Sequence, residues 1–247
     1  PHVKNVIRAS EMAGARIGGL VYGPLAASRA ALSKHQKNLG VVVIDMGAST
    51  TGIAVYEEHK LLGVGMIPLG ADNITKDLAV GLKIPVHAAE ALKLRHGYAL
   101  AKDVNQKEEI DLKKFSPDAQ GVASRRYIAS IIEARLAEIL ELVNNELKLL
   151  GKARELAGGV ILTGGGAKLP GLAELARSEL KLASQVGCTI EPKWAREGLL
   201  DGETSLQDPE FVNAMGLLFW GADEEEWWPS AHDKGFDVRR FLESFIP

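Results

Sequence analysis

Cysteine is nearly absent from this 247-residue chain, with Cys188 its single example. No disulfide framework and no cysteine-based metal site can be closed within it, a usage that fits a reducing cytoplasm. No apolar run approaches the roughly 20 residues needed to span a bilayer, and no signal-peptide pattern opens the chain. The first residue is Pro1 instead of Met, which reads as a truncated start. Neither charge sign dominates: 29 Lys and Arg stand against 32 Asp and Glu, for a formal net charge of -3. No broad basic surface is therefore available, and nucleic acid is not an expected partner. What remains, 46% apolar, 25% charged and 6% aromatic residues, is the profile of a soluble globular protein with a core of one large or two small domains.

The hydrophobic pattern alternates between helical and extended periods. Residues 2–14 predict a helix with a stripe through Val3, Ile7 and Met12, and Ala-rich 25–32 predicts another, with a strand at Gly18 to Val21 between them. Three short strands follow, Val41 to Asp45, Gly52 to Tyr56 and Leu61 to Pro68, as a meander with Gly-containing turns. Helices are expected at Asn73 to Leu82 and Val86 to His96, and a solvated loop or edge hairpin at 101–119. Residues 122–150 keep one face apolar from Ile128 to Leu150, predicting a helix of about seven turns. A strand ending at Thr163 then runs into Gly164, Gly165 and Gly166, with a helix over Leu169 to Leu182 and a last core helix over Phe211 to Trp220. The pattern is that of an α/β protein.

Two glycine-bearing turns and one helix carry candidate chemistry. In Asp45-Met46-Gly47-Ala48-Ser49-Thr50-Thr51 a carboxylate ends an apolar strand, and Gly47 opens a turn whose amides and hydroxyls suit phosphate oxygens. Asp45 would repel those phosphates directly, so its role there is to hold a hydrated Mg²⁺. The same residues also suit an ordinary hairpin turn. Gly164 to Gly166 form a second strand-to-helix junction where a nucleotide can lie against bare backbone. Glu90 and Lys93, three apart on one predicted helix, offer an acceptor and a donor to a ribose or purine, or else an exposed ion pair. His96 reads as a residue of the helix C-terminus rather than a catalyst.

These stretches, with Ile67 to Asp77, Ala89 to Gly97 and Gly159 to Ala167, occur in the order seen in the FtsA family of bacterial actin-like cell-division proteins, which this chain resembles over residues 3–222. The run Glu90-Ala91-Leu92-Lys93-Leu94-Arg95-His96-Gly97 is the most specific. The resemblance implies the actin and heat-shock-chaperone ATPase fold, ribonuclease H-like, with mainly the second half of its two-lobed clamp present. It implies residues 1–38 as the end of the first lobe and the connecting segment, 39–77 with 157–222 as the second-lobe core, and 78–156 as an inserted helical subdomain. It further implies ATP and Mg²⁺ as cofactors: Asp45, Gly47, Ala48, Ser49, Thr50 and Gly70 at the phosphates, Glu90 and Lys93 at ribose and purine, and Gly164, Gly165 and Gly166 as the adenosine motif. One departure stands out: the family commonly has an acid after the two threonines, and this chain has Gly52. Hydrolysis is accordingly expected to be slow at most, in a protein that is primarily an adaptor.

The family's partners are the C-terminal peptide of the tubulin-like protein FtsZ, other copies of itself in a filament, and the cytoplasmic membrane surface at the division site. Arg125, Arg126 and Arg135, on or beside the long predicted helix, are the candidates for an acidic peptide, or alternatively pair with Glu133, Glu138 or Glu141. Residues 223–235 read as an acidic linker, and 236–247 as a short amphipathic helix. At about 100° per residue, Val238, Phe241, Leu242, Phe245 and Ile246 share one side, as a reversible surface anchor or as a tail that docks on its own domain. A PilM-like pilus-assembly adaptor and a kinase of the same superfamily are the competing expectations.

Overall fold

A computed structural model describes residues 2–117, 119, 121–190 and 208–223. Its centre is a five-stranded sheet of β1 (Val41–Met46), β2 (Thr51–Glu57), β3 (Lys60–Ile67), β6 (Val160–Thr163) and β7 (Ser184–Val186), ordered β3-β2-β1-β6-β7. β1, β2 and β3 form an antiparallel meander, while β6 joins β1, and β7 joins β6, in parallel. The parallel strands are covered on both faces, which explains why β1 reads as a continuous apolar run. Val42, Ile44 and Met46 enter one core, against α4 (Ala71–Leu82), α5 (Val86–His96), α6 (Arg125–Leu149) and α7 (Leu172–Leu180). Val41 and Val43 enter a second core with α2 (Gly23–Ala31) and α8 (Val212–Asp223).

The long helix α6 runs 25 residues and buries Ile128, Ile132, Leu136, Ile139, Leu140, Val143 and Leu147, the stripe that its period predicts. Its expected first turn is instead strand: Val122–Ser124 (β5) pairs with Glu109–Asp111 (β4) in a small separate sheet. The backbone before Arg125 gains ladder bonds there that a helix N-terminus would leave unmade. The expected strand at Gly18 to Val21 does not form: residues 15–22 are irregular, and Gly18 to Leu20 are exposed and bury no apolar face. Helix α1 (His2–Met12) forms as expected, with Val3, Val6 and Met12 exposed. Two elements went unread in the sequence, β7 and the short helix α3 (Lys34–Leu39), which Ser33 and Gln36 cap reciprocally. The linker from residue 224 and the amphipathic segment at 236–247 lie outside the described residues.

Candidate functional site

β1 and β6 end side by side, with Asp45 in register with Thr163, so both candidate turns leave the same edge of the sheet. The turn after β1 folds onto the start of α4: the Ala71 and Asp72 amides donate to the carbonyls of Gly47 and Ala48 at 3.0 and 2.8 Å. Gly70 permits this seat, because a β-carbon there would stand 2.5 Å from the Ala48 oxygen. The Gly47 amide is taken by the Thr50 carbonyl at 2.9 Å, whereas those of Ala48, Ser49 and Thr50 have no backbone acceptor among the described residues. Of these four amides, Gly47 is thus the one already engaged. Ser49 also reaches Asp72 at 3.5 Å.

A cleft of about 630 Å³ opens beside this turn. Gly47, Ala48, Glu90, Lys93, Gly165 and Gly166 all line it, so the structure gathers both glycine turns and the α5 pair around one cavity. Asp72, Lys168 and Glu210 line it too and were missed in the sequence, where nothing marks residues from three separate segments as neighbours. Lys168 is held by Asp208 at 2.7 Å and Glu210 at 3.1 Å. The expected helix at Leu169 begins only at Leu172, after a 3₁₀ turn over Gly165–Lys168 that carries the glycines along the cleft wall.

Glu90 and Lys93 do form an ion pair, at 2.8 Å, but it is not the exposed one that spacing alone suggests. Lys93 is 7% exposed, and its ammonium also donates to Thr75 Oγ1 at 2.9 Å and to the Ala71 carbonyl at 3.1 Å. Thr75 in turn donates to Glu90. Burial pushes the Glu90 carboxyl up, but hydrogen bonds from Lys93 and Thr75 and the Lys93 charge outweigh it and hold the group below its ordinary value. The pair thus ties α5 to α4 while leaving the carboxylate half-open to the cleft.

Asp45 points elsewhere. It follows Val41 and Val43 toward the α2–α8 face, where Asn213 Nδ2 donates to its Oδ2 at 2.7 Å. Burial raises its affinity for a proton, and the Asn213 hydrogen bond pulls part of that back. Gly164, at φ +84°, lies against the other oxygen: a β-carbon there would stand 2.6 Å from Asp45 Oδ1, so only glycine lets the second turn pass. Two oxygens beside this carboxylate, Thr163 Oγ1 and Asn213 Oδ1, are buried without a hydrogen-bond partner.

The arginines lie apart from the cleft lining. Arg125 donates to Glu108 at 2.9 and 3.1 Å and to the His96 carbonyl at 3.2 Å. Arg126 reaches Gln106, at 3.5 Å. Arg135 forks onto Asp77 of α4 at 2.6 and 3.0 Å and also meets Glu138. Val238, Phe241, Leu242, Phe245 and Ile246 are among the residues left undescribed.

A meander joined to a parallel extension, with glycine turns leaving neighbouring strand tips beside an open cleft, is the arrangement of the actin-like fold. MreB5 of Spiroplasma citri bound to AMPPNP superposes with a TM-score of 0.66 at 16% identity, over 98% of this chain and 66% of that one. The PilM–PilN type IV pilus biogenesis complex does so at 0.63 and 23%, over 88% and 57%. At those identities the likeness establishes the fold alone. Residues 42–216 match the family described as cell division protein FtsA, and the chain belongs to that family. Cell division protein FtsA of Bacillus subtilis is 36% identical over 214 residues, 87% of this chain and 46% of that protein. The chain spans about half the length of that curated relative.

Proposed function

We propose that this chain is the nucleotide-binding second lobe of an actin-like cell-division protein, which binds ATP with Mg²⁺, polymerises, and tethers the FtsZ ring to the cytoplasmic face of the membrane. The observation that carries the nucleotide reading is the shared cleft: Gly47 and Ala48 from one strand tip, Gly165 and Gly166 from the next, and Glu90 with Lys93 from α5. The amides of Ala48, Ser49 and Thr50, without a backbone acceptor among the described residues, would supply donors for phosphate oxygens. The half-exposed Glu90 carboxylate supplies an acceptor for sugar hydroxyls. Binding of AMPPNP and ADP by the MreB5 neighbours agrees with this use of the fold.

Mg²⁺ fits the chemistry of the donor set. It keeps several of its waters, and those waters donate hydrogen bonds. Asp45, partly exposed at the tip of β1, is the oxygen acceptor that would take such hydrogen bonds. The ion would neutralise phosphate charge; Asp45 would orient it through its waters. Slow hydrolysis goes with this reading, because Gly52 supplies no acid. Likeness to PilM at the level of fold adds nothing specific to pilus assembly.

The test is a fluorescence titration of the natural full-length protein with an ATP analogue and Mg²⁺. Saturable binding that weakens at least tenfold in Gly165→Val is expected, and undiminished binding in that variant would remove the cleft from the reading.

A further inference from the structure

We infer that Thr75 and Lys93 are positioning residues of the cleft: together they engage one oxygen of the Glu90 carboxylate and leave the other to the ribose of a bound nucleotide. Thr75, which does not itself line the cleft, thereby sets a preference for ribose over a sugar without hydroxyls. The inference rests on the nucleotide reading above.

The protons decide the arrangement. An ammonium has three N–H donors and no lone pair. Lys93 has three acceptors around it, Glu90 Oε2 at 2.8 Å, Thr75 Oγ1 at 2.9 Å and the Ala71 carbonyl at 3.1 Å. All three protons are therefore engaged by the protein, and the lysine that spacing offers as a donor to ribose or purine has none left for a ligand. Thr75, buried at 3% exposure, must accept from Lys93, and its single proton then has to find an acceptor of its own. Glu90 Oε2 is nearer than the Ala71 carbonyl at 3.4 Å, so the proton faces the carboxylate.

Both donors thus converge on Oε2. Oε1 accepts no hydrogen bond from the described residues, and the side chain that carries it is 40% exposed and lines the cleft. A ribose hydroxyl is a donor, and a bond from it to an ionised oxygen is charge-assisted. A glutamate left to rotate would have to be immobilised on binding, at a cost of about two- to tenfold in affinity for one such side chain. Here the network has fixed it beforehand. Lys93 also couples this acceptor to the phosphate turn, since Ala71, whose carbonyl it engages, donates its amide to Gly47 at 3.0 Å.

Affinities of the full-length protein for ATP and for 2′,3′-dideoxy-ATP, each measured by calorimetry with Mg²⁺, separate positioning from bracing. The parent should prefer ATP by about five- to twentyfold, the range for hydrogen bonds to a charged and partly solvated acceptor. Thr75→Val keeps the shape of the side chain and removes both hydroxyl bonds. Its preference for ATP should fall at least threefold through loss of ATP affinity, with the dideoxy nucleotide bound as before. Thr75→Ser should restore the preference, and Glu90→Gln should remove most of it. Each ratio is internal to one variant, so a partly unfolded sample titrates both nucleotides alike and the comparison stands. A smaller fall in Thr75→Val, whatever its melting temperature does, overturns the inference: the network then only braces α5 against α4. A parent that binds both nucleotides equally overturns it as well, because Glu90 then does not meet the ribose. A parent that binds neither shows instead that the nucleotide reading itself has failed, and this assignment falls with it.

Discussion

Gly52 is the position where family resemblance asks for an acid, and the structure gives a steric reason for its absence. A β-carbon there would overlap Cγ of Pro24, the second residue of α2, and would lie 3.1 Å from the Tyr22 hydroxyl. That hydroxyl is itself bonded to the Gly65 carbonyl of the edge strand at 2.7 Å, so neither neighbour moves freely. Gly52→Glu should lower stability in urea by about 1–3 kcal/mol, as other overpacked substitutions do. Adding Pro24→Ala should return part of that loss; additive effects would remove Pro24 as the obstacle. The departure was visible in the sequence, but its cause, 28 positions away, was not. Glu90 makes a second residue-level prediction. Its carboxyl is held below the ordinary 4.5, so its ionised form stabilises the fold fully above that value and the gain is lost as pH falls through the folded-state value. Glu90→Gln should therefore cost stability at pH 7, no more than about 1 kcal/mol given the solvent around the group, and less at pH 3. Equal losses at the two pH values would contradict the ion-pair account.

Helix α4 is the element on which the candidate site and the candidate partner surface both lean. Its first amides hold the Gly47–Ala48 turn, Lys93 caps its first carbonyl from α5, and Asp77, further along, grips Arg135 of α6. Periodicity disclosed α4, α5 and α6, because each sends apolar residues into the same core. It did not disclose what joins them: Arg135 has acids on its own helix at Glu133, two positions back, and Glu138, three positions on, yet its bidentate partner is Asp77, on another helix. The cleft was half legible for the same reason. Glycine turns and the Glu90–Lys93 spacing carry local signals, whereas Lys168, Glu210 and Asn213 become site residues only once β6 and α8 are placed. If Arg135 receives an acidic FtsZ peptide, that peptide must compete with Asp77. Asp77→Asn should then tighten binding of a labelled FtsZ C-terminal peptide, by roughly two- to fivefold for one weakened, partly exposed pair, while Arg135→Ala should weaken it. Fluorescence anisotropy decides: loss of affinity in both variants would mean that the pair supports the lobe and that neither side chain meets the peptide.

At the scale of the whole molecule, α8 lies on the α2 side of the sheet and leads directly into residues 224–247, beyond the described part. None of the described helices is long and apolar enough to cross a membrane. The sequence places Val238, Phe241, Leu242, Phe245 and Ile246 on one side of a helical wheel, with Asp237, Arg239, Arg240, Glu243 and Ser244 elsewhere. Burying several such side chains below the headgroups would contribute on the order of 1.5–3 kcal/mol each before ordering costs, enough for reversible binding that weakens stepwise as they are removed. Arg239 and Arg240 are balanced by Asp237 and Glu243, so attachment through this segment would rest on its apolar side chains. The full-length protein should therefore pellet with phospholipid vesicles, with little dependence on their charge, and deletion of 236–247 should abolish pelleting. A paired change, Phe241→Glu with Phe245→Glu, keeps the length and should abolish it as well. Nucleotide binding in the same variants distinguishes the two uses of the tail. If the tail docks on its own lobe instead of on lipid, its removal should alter ATP-analogue affinity or melting temperature and leave pelleting unchanged. If it is a surface anchor, pelleting is lost and the cleft, built from β1, β6, α4 and α5, binds as before.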